Sequence, residues 1–289
     1  MDYRLMGQGQ DLVVIETGLG NTYYEWLDLA ERLSLDYRVL LYHRRGYGNS
    51  PFSHDERTCQ EVARDLNQLT KTLDLDRFYL LGHSYGGLCA LTYASLYPNQ
   101  VKGVLLLDAT SPHMMDLETL ETPTIIGQCG HEKMIDYMVR FSQMTSSQLR
   151  EAMASSLAKY RVGLLAEDFE AYQAGVLRPS SYETVKKELL AWPKSGHFLR
   201  DQKKSKTFPL LVIARDSLTS RGNWQSHGIP EKEAQLYEQA WRDLQEDLLS
   251  YSDQASLIVA KGCDHMIHLE NAQYVLDGLK GLTRKVSNG

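Results

Sequence analysis

The 289-residue chain predicts an α/β protein, a mostly parallel, doubly wound sheet carrying an inserted helical lid. Three observations lead there. Short, continuous apolar runs alternate with segments of helical periodicity, the pattern of strands covered on both faces. Several of those runs stop in glycine turns, where strands of such a sheet hand over to their connections. A long central stretch shows helical stripes without a convincing strand, so residues 1–111 and 207–289 form the expected core and residues 112–206 the insert.

The elements follow in order. Leu12-Val13-Val14-Ile15 is a strand stopped by Thr17-Gly18-Leu19-Gly20. Trp26, Leu29, Ala30 and Leu33 recur at helical spacing before a second strand, Arg38 to Tyr42, which stops at Arg45-Gly46-Tyr47-Gly48-Asn49-Ser50-Pro51. Val62, Leu66, Leu69 and Leu73 place one apolar face on a helix over Thr58 to Leu73. The strand Phe78 to Leu81 runs into Gly82-His83-Ser84-Tyr85-Gly86-Gly87, and the helix that follows closes at Pro98, which cannot continue the hydrogen-bond ladder. Val104 to Leu107 is another buried strand, ending at Asp108.

In the insert, Met134, Met138 and Phe141 form one stripe, and Leu149, Met153 and Leu157 form a second behind a cap at Ser146. Alternation resumes with the strand Pro209 to Ala214, a helix with Leu236, Ala240, Leu244 and Leu248 on its apolar side, the strand Ser256 to Val259 and a closing helix after Asn271. The run Lys203-Lys204-Ser205-Lys206 reads as a solvated connector.

Composition narrows the function. Hydrophobic residues at 43% and charged residues at 24% suit a folded chain with a large core. A net charge of -6 and a pI near 5.9 argue against binding nucleic acid or anionic lipid through counterion release. A small-molecule substrate fits better, and oligomeric state is left open. No apolar run matches a secretory signal or a bilayer span, and the four cysteines are scattered, so reduced thiols and a cytoplasmic location are expected. Neither a phosphate loop nor a dinucleotide fingerprint occurs, and Asp264, His265, His268 and Glu270 lack a metal-site spacing. Chemistry without cofactor or metal is the expectation.

The chemistry centres on Ser84. Gly82-His83-Ser84-Tyr85-Gly86 fits Gly-x-Ser-x-Gly, in which small flanking residues allow a sharp strand-to-helix turn that lifts the serine hydroxyl above the sheet. The five-residue pattern alone is weak, because a glycine turn whose serine caps a helix would look the same. An apolar strand before it and a helix after it supply the context the motif requires. A serine nucleophile needs a base. His265, after the last strand, is the best placed; His268 competes, and His83 neighbours the serine inside the turn, where its side chain should point away.

With these motifs in this order, the chain resembles the α/β-hydrolase superfamily across nearly its whole length, as a serine-nucleophile, lid-bearing, esterase- or lipase-like member. The matching segments are Glu16 to Gly20, Arg45 to Ser50, the Ser84 turn and the His265 loop. The resemblance implies that backbone amides of Leu19 and Tyr85 bind the developing oxyanion. It offers two positions for the triad acid: Asp216, after the strand that follows the lid, and Asp108, after the strand beside the serine strand. Segments like Trp241 to Ser250 and Leu107 to Pro112 occur in a subgroup without the later acid, which favours Asp108 and keeps Asp216 as the alternative. The implied reaction is cleavage of a carboxylic ester, or an amide, of a small, partly hydrophobic substrate through an acyl-enzyme. Six methionines of the insert, Met114, Met115, Met134, Met138, Met144 and Met153, suit an adaptable apolar pocket or simply pack lid helices. A slow-turnover receptor or signalling protein, and cofactor-free peroxidase, C–C hydrolase and acyltransferase relatives, share the same residues.

Overall fold

Seven strands form one sheet in a computed structural model that describes residues 1–202 and 207–287. The run Lys203 to Lys206 falls outside the described residues. In chain order the elements are β1 (Tyr3–Met6), β2 (Leu12–Glu16), α1 (Leu27–Leu33), β3 (Arg38–Tyr42), α2 (Cys59–Thr72), β4 (Phe78–His83), α3 (Tyr85–Leu96) and β5 (Val101–Leu107). Then come α4 (Pro123–Cys129), α5 (His131–Ser142), α6 (Ser146–Ala152), α7 (Ala154–Gly163), α8 (Ala166–Val176) and α9 (Pro179–Arg200). The chain finishes with β6 (Leu210–Arg215), α10 (Ser217–Ser226), α11 (Glu231–Asp247), β7 (Ala255–Ala260), α12 (Ile267–Glu270) and α13 (Gln273–Ser287).

The strand order is β1-β3-β2-β4-β5-β6-β7, with β1 antiparallel to β3 and every other pair parallel. Alternate side chains of the central strands feed two cores. Val14, Leu40, Leu80, Leu106 and Val212 face Val62 and Leu66 of α2 and Leu88 and Leu91 of α3. Val13, Ile15, Leu41, Leu81, Leu105 and Ile213 face Leu29 and Leu33 of α1 and Val275 and Leu279 of α13. Each fully buried aliphatic side chain contributes about 1.5–3 kcal/mol, and burial on both faces explains the continuous apolar runs.

Two sequence expectations need correction, and one strand escaped the sequence reading. The edge strand β1 has no apolar signature, because Tyr3 and Leu5 remain 44% and 43% exposed and the strand is held by its ladder to β3. The second stripe of the insert is split: Thr145, not Ser146, caps α6 by accepting from the Gln148 amide, and the chain bends at Met153 into α7. On α11 the buried side is Ala234, Glu238, Trp241 and Gln245, while Leu236 is exposed. Periodicity of apolar residues misplaces that face because Glu238 is buried as the ion-pair partner of Arg215 and Gln245 donates to the Ala109 carbonyl.

Candidate active site

Ser84 is the single residue between β4 and α3, at φ 52 and ψ -127. For a residue with a β-carbon this conformation costs about 1–3 kcal/mol, and neighbouring strands hold it there. The Ser84 amide donates to the Leu107 carbonyl at 3.2 Å, and the Ser84 carbonyl accepts from Thr110 at 2.9 Å and Gly87 at 2.8 Å. Such tightness needs glycine: a β-carbon on Gly86 would stand 2.2 Å from the Glu16 carbonyl oxygen and 2.5 Å from that of Thr17. The turn after β2 therefore rests against the start of α3, and Gly18 brings its backbone beside the Ser84 side chain, since a β-carbon on it would lie 3.4 Å from that of Ser84.

The β4–β5 register pairs His83 with Leu107, so Asp108 follows one strand over from the serine. Its carboxylate is fully buried. Oδ2 lies 2.6 Å from Nδ1 of His265 and accepts from Nη1 of Arg215 at 3.3 Å. Oδ1 accepts from the Arg215 amide at 3.2 Å and from Nε1 of Trp241 at 2.9 Å. Burial on its own would raise this carboxyl; the Arg215 guanidinium and the bonds from His265 and Trp241 overcome it and hold the group well below the usual carboxylate range.

Asp216 has a different environment. It is half-exposed and caps α10, accepting from the amides of Leu218 at 3.3 Å and Gly262 at 3.0 Å. Its described partners do not include His265. The Gly262 bond leads the causes that lower its carboxyl. The His265 loop is braced through Asp264, which accepts from Ser220 at 2.5 Å and Asn223 at 2.7 Å.

The other two histidines of this region are buried. His83 donates from Nε2 to the His265 carbonyl at 3.0 Å, and burial followed by the nearby His265 pushes it down to about 3. His268 stacks on Trp26 with ring centroids 3.7 Å apart. Neither lines the space around Ser84.

That space is a cavity of about 600 Å³ lined by Ser84, His265, Leu19, Trp192 and Trp241 among others. A second cavity of about 330 Å³ shares Leu19 and Met134 with it and is walled by Met138, Phe141, Tyr172 and Tyr182 of the insert. Glu25 also borders the smaller cavity; burial pushes its carboxyl up to about 7, although Thr22 and Asn21 donate to it. Ser84, His265 and Leu19 thus meet at one cavity with Asp108 behind the histidine, and the buried Tyr85 opens α3 directly after the serine. Sequence reasoning overlooked Arg215, whose position was the available signal: a cation ending a wholly buried strand requires buried anions, here Asp108 and Glu238.

Sheet, serine turn and histidine–aspartate pair together form the arrangement of the α/β-hydrolase fold. A family model described as "alpha/beta hydrolase fold" matches residues 11–125, from the start of β2 into α4. The chain is 27% identical over 219 residues, 68% of its length and 83% of the relative's, to "Putative carbamate hydrolase RutD" of Stutzerimonas stutzeri. It is 31% identical over 112 residues to proline iminopeptidase of Saccharolobus solfataricus, spanning 38% of this chain and 36% of that one. Among solved structures, a thermophilic esterase from Thermogutta terrifontis matches 98% of the chain, and 93% of its own, at TM-score 0.64 and 20% identity. A "putative epoxide hydrolase" from Pseudomonas aeruginosa matches 99% of the chain and 92% of its own at TM-score 0.68 and 18% identity. Among the described residues, no helix is long and apolar enough to cross a membrane.

Proposed function

We propose that the protein is a serine hydrolase that cleaves a carboxylic ester, or alternatively an amide, of a small, partly hydrophobic substrate. One observation carries the reading: a strained serine and a histidine tied at 2.6 Å to a buried, ionised aspartate border the same cavity. Asp108 would fix the His265 tautomer with its proton on Nδ1 and leave Nε2 free to take the Ser84 proton. The Ser84 oxygen attacks the substrate carbonyl, and amides of Leu19 and Tyr85 receive the negative charge that develops on the carbonyl oxygen. His265 then protonates the leaving alcohol. Water activated by the same nitrogen attacks the acyl-enzyme, and the acid is released with Ser84 re-protonated.

Residues 112–206 act in this reading as a lid over the core formed by 1–111 and 207–289. Met114 borders the larger cavity, Met138 and Met153 the smaller, and Met134 both, which supports an apolar acyl group. A serine argues against epoxide opening, because attack on an epoxide would leave a stable ether, whereas a carboxylate nucleophile leaves an ester that water can cleave. Fluorophosphonate labelling is the first test, with p-nitrophenyl esters of graded acyl length as the second. Wild type should label at Ser84 and turn over the esters, and Ser84→Ala should do neither. Folded wild-type protein that fails to label at Ser84 would sink the proposal.

A further inference from the structure

Arg44 follows β3 by two residues, is 3% exposed, and has every N–H of its guanidinium engaged. Nε and Nη2 donate to the Glu188 carboxylate at 2.9 and 3.2 Å, and Nη1 donates to Glu16 at 2.7 Å. The two remaining donors reach main-chain oxygens of the turn after β2: Nη1 to Thr17 at 2.7 Å and Nη2 to Gly18 at 3.0 Å. Gly18 and Leu19 share one peptide unit. In a planar trans peptide the carbonyl and the following N–H point in opposite directions, so anchoring the Gly18 oxygen on a buried cation fixes where the Leu19 N–H is aimed. Donation to that oxygen also polarises the amide and makes its N–H a better donor.

Glu188 belongs to α9, within the insert. The same carboxylate accepts from the Tyr47 hydroxyl at 2.6 Å, and that hydroxyl in turn accepts from the Gly20 amide at 3.2 Å. One helix of the insert thereby holds the turn on both sides of Leu19, through Arg44 at Gly18 and through Tyr47 at Gly20.

We infer that Arg44, clamped by Glu188 of α9, is the positioning residue that orients the Leu19 N–H toward the oxyanion, so that docking of the insert and transition-state stabilisation are coupled. The inference rests on the serine-hydrolase reading. Lysine at position 44 would keep a cation between Glu16 and Glu188 but has no planar fork with which to hold both carbonyls as well. In the full-length protein, Arg44→Lys should lower kcat for p-nitrophenyl acetate by about 10–100-fold, with KM changed by less than about threefold. Inhibition by an alkyl trifluoromethyl ketone, whose serine adduct carries an oxyanion, should weaken by a factor similar to the loss in kcat. Glu188→Gln, which keeps an acceptor and removes its charge, should show the same signature at about 3–10-fold, and it decides the matter if Arg44→Lys does not fold. A folded variant with wild-type kcat and inhibition, or with a change confined to KM, overturns the inference. Ser84→Ala run in parallel separates the two levels: if it is inactive while Arg44→Lys is unimpaired, only the positioning role fails, and if it retains turnover both readings fail.

Discussion

Asp108 and Asp216 end neighbouring strands, and their surroundings predict opposite phenotypes. Asp108 touches His265, Arg215 and Trp241 without reaching solvent, so Asp108→Asn, which removes the charge and disturbs the histidine tautomer, should lower kcat by about 10³–10⁴-fold. Asp216 satisfies amides at the start of α10 and in the following loop. Asp216→Ala should therefore cost about 0.5–2 kcal/mol in a urea titration, as a lost helix cap does, and leave kcat within a few-fold of wild type. A loss of turnover confined to Asp216→Ala would reverse the assignment. Distance in sequence gave no way to choose between them, since both follow apolar strands; the choice depends on which carboxylate the sheet register brings beneath the histidine.

At the scale of elements, close approach decides which glycines matter. Gly86→Ala drives a methyl group into the carbonyl oxygens that end β2, and should destabilise the fold by about 1–3 kcal/mol or more. Gly281→Ala sits on an exposed side of α13 with nothing near the added carbon, and should stabilise by about 0.5–1 kcal/mol. Chemical denaturation of both variants checks the contrast. The interior strands were legible because burial on both faces makes their sequences apolar throughout, and the Ser84 turn because its geometry restricts the flanking residues. β1 was not, since an edge strand needs only its backbone, and neither was the buried side of α11, whose Glu238 is held inside by Arg215 from β6 and by the Trp224 indole from α10. Ion pairs between distant segments leave no period in a sequence.

Across the whole molecule, titratable groups partly or wholly withdrawn from water set opposing pH dependences. His83, pushed down to about 3, is taken out of water neutral; the unfolded chain binds its proton near the ordinary 6.5, so the stability His83 allows is complete above that value and declines as pH falls toward 3. His268 is lowered in the same direction by burial and by His83 and His265. Neither of its ring nitrogens has a hydrogen-bond partner among the described residues. His268→Phe, which keeps the stack on Trp26, should thus raise Tm at pH 5 more than at pH 8. Glu25 works the other way. Its folded carboxyl holds a proton up to about 7 while the unfolded one releases it near 4.5, so stability falls as pH rises through that window, and Glu25→Gln should gain more at pH 8 than at pH 5. Thermal melts at the two pH values test both signs.

Placing the proposed acid after β5 rather than after β6 also has a consequence for how the protein could be altered. The segment from Asp216 to Pro230 keeps its duties as a cap and a brace for Asp264, yet it carries none of the proposed reacting groups, while Trp224 and His227 within it form part of the wall of the larger cavity. Ser220 and Asn223 must stay, because they hold the His265 loop through Asp264, but the wall positions beside them can be varied. Sequence diversity introduced at His227 would reshape what the cavity admits while the serine, the histidine and its aspartate keep their supports; Trp224 is less free, because its Nε1 donates to Glu238, the partner of Arg215.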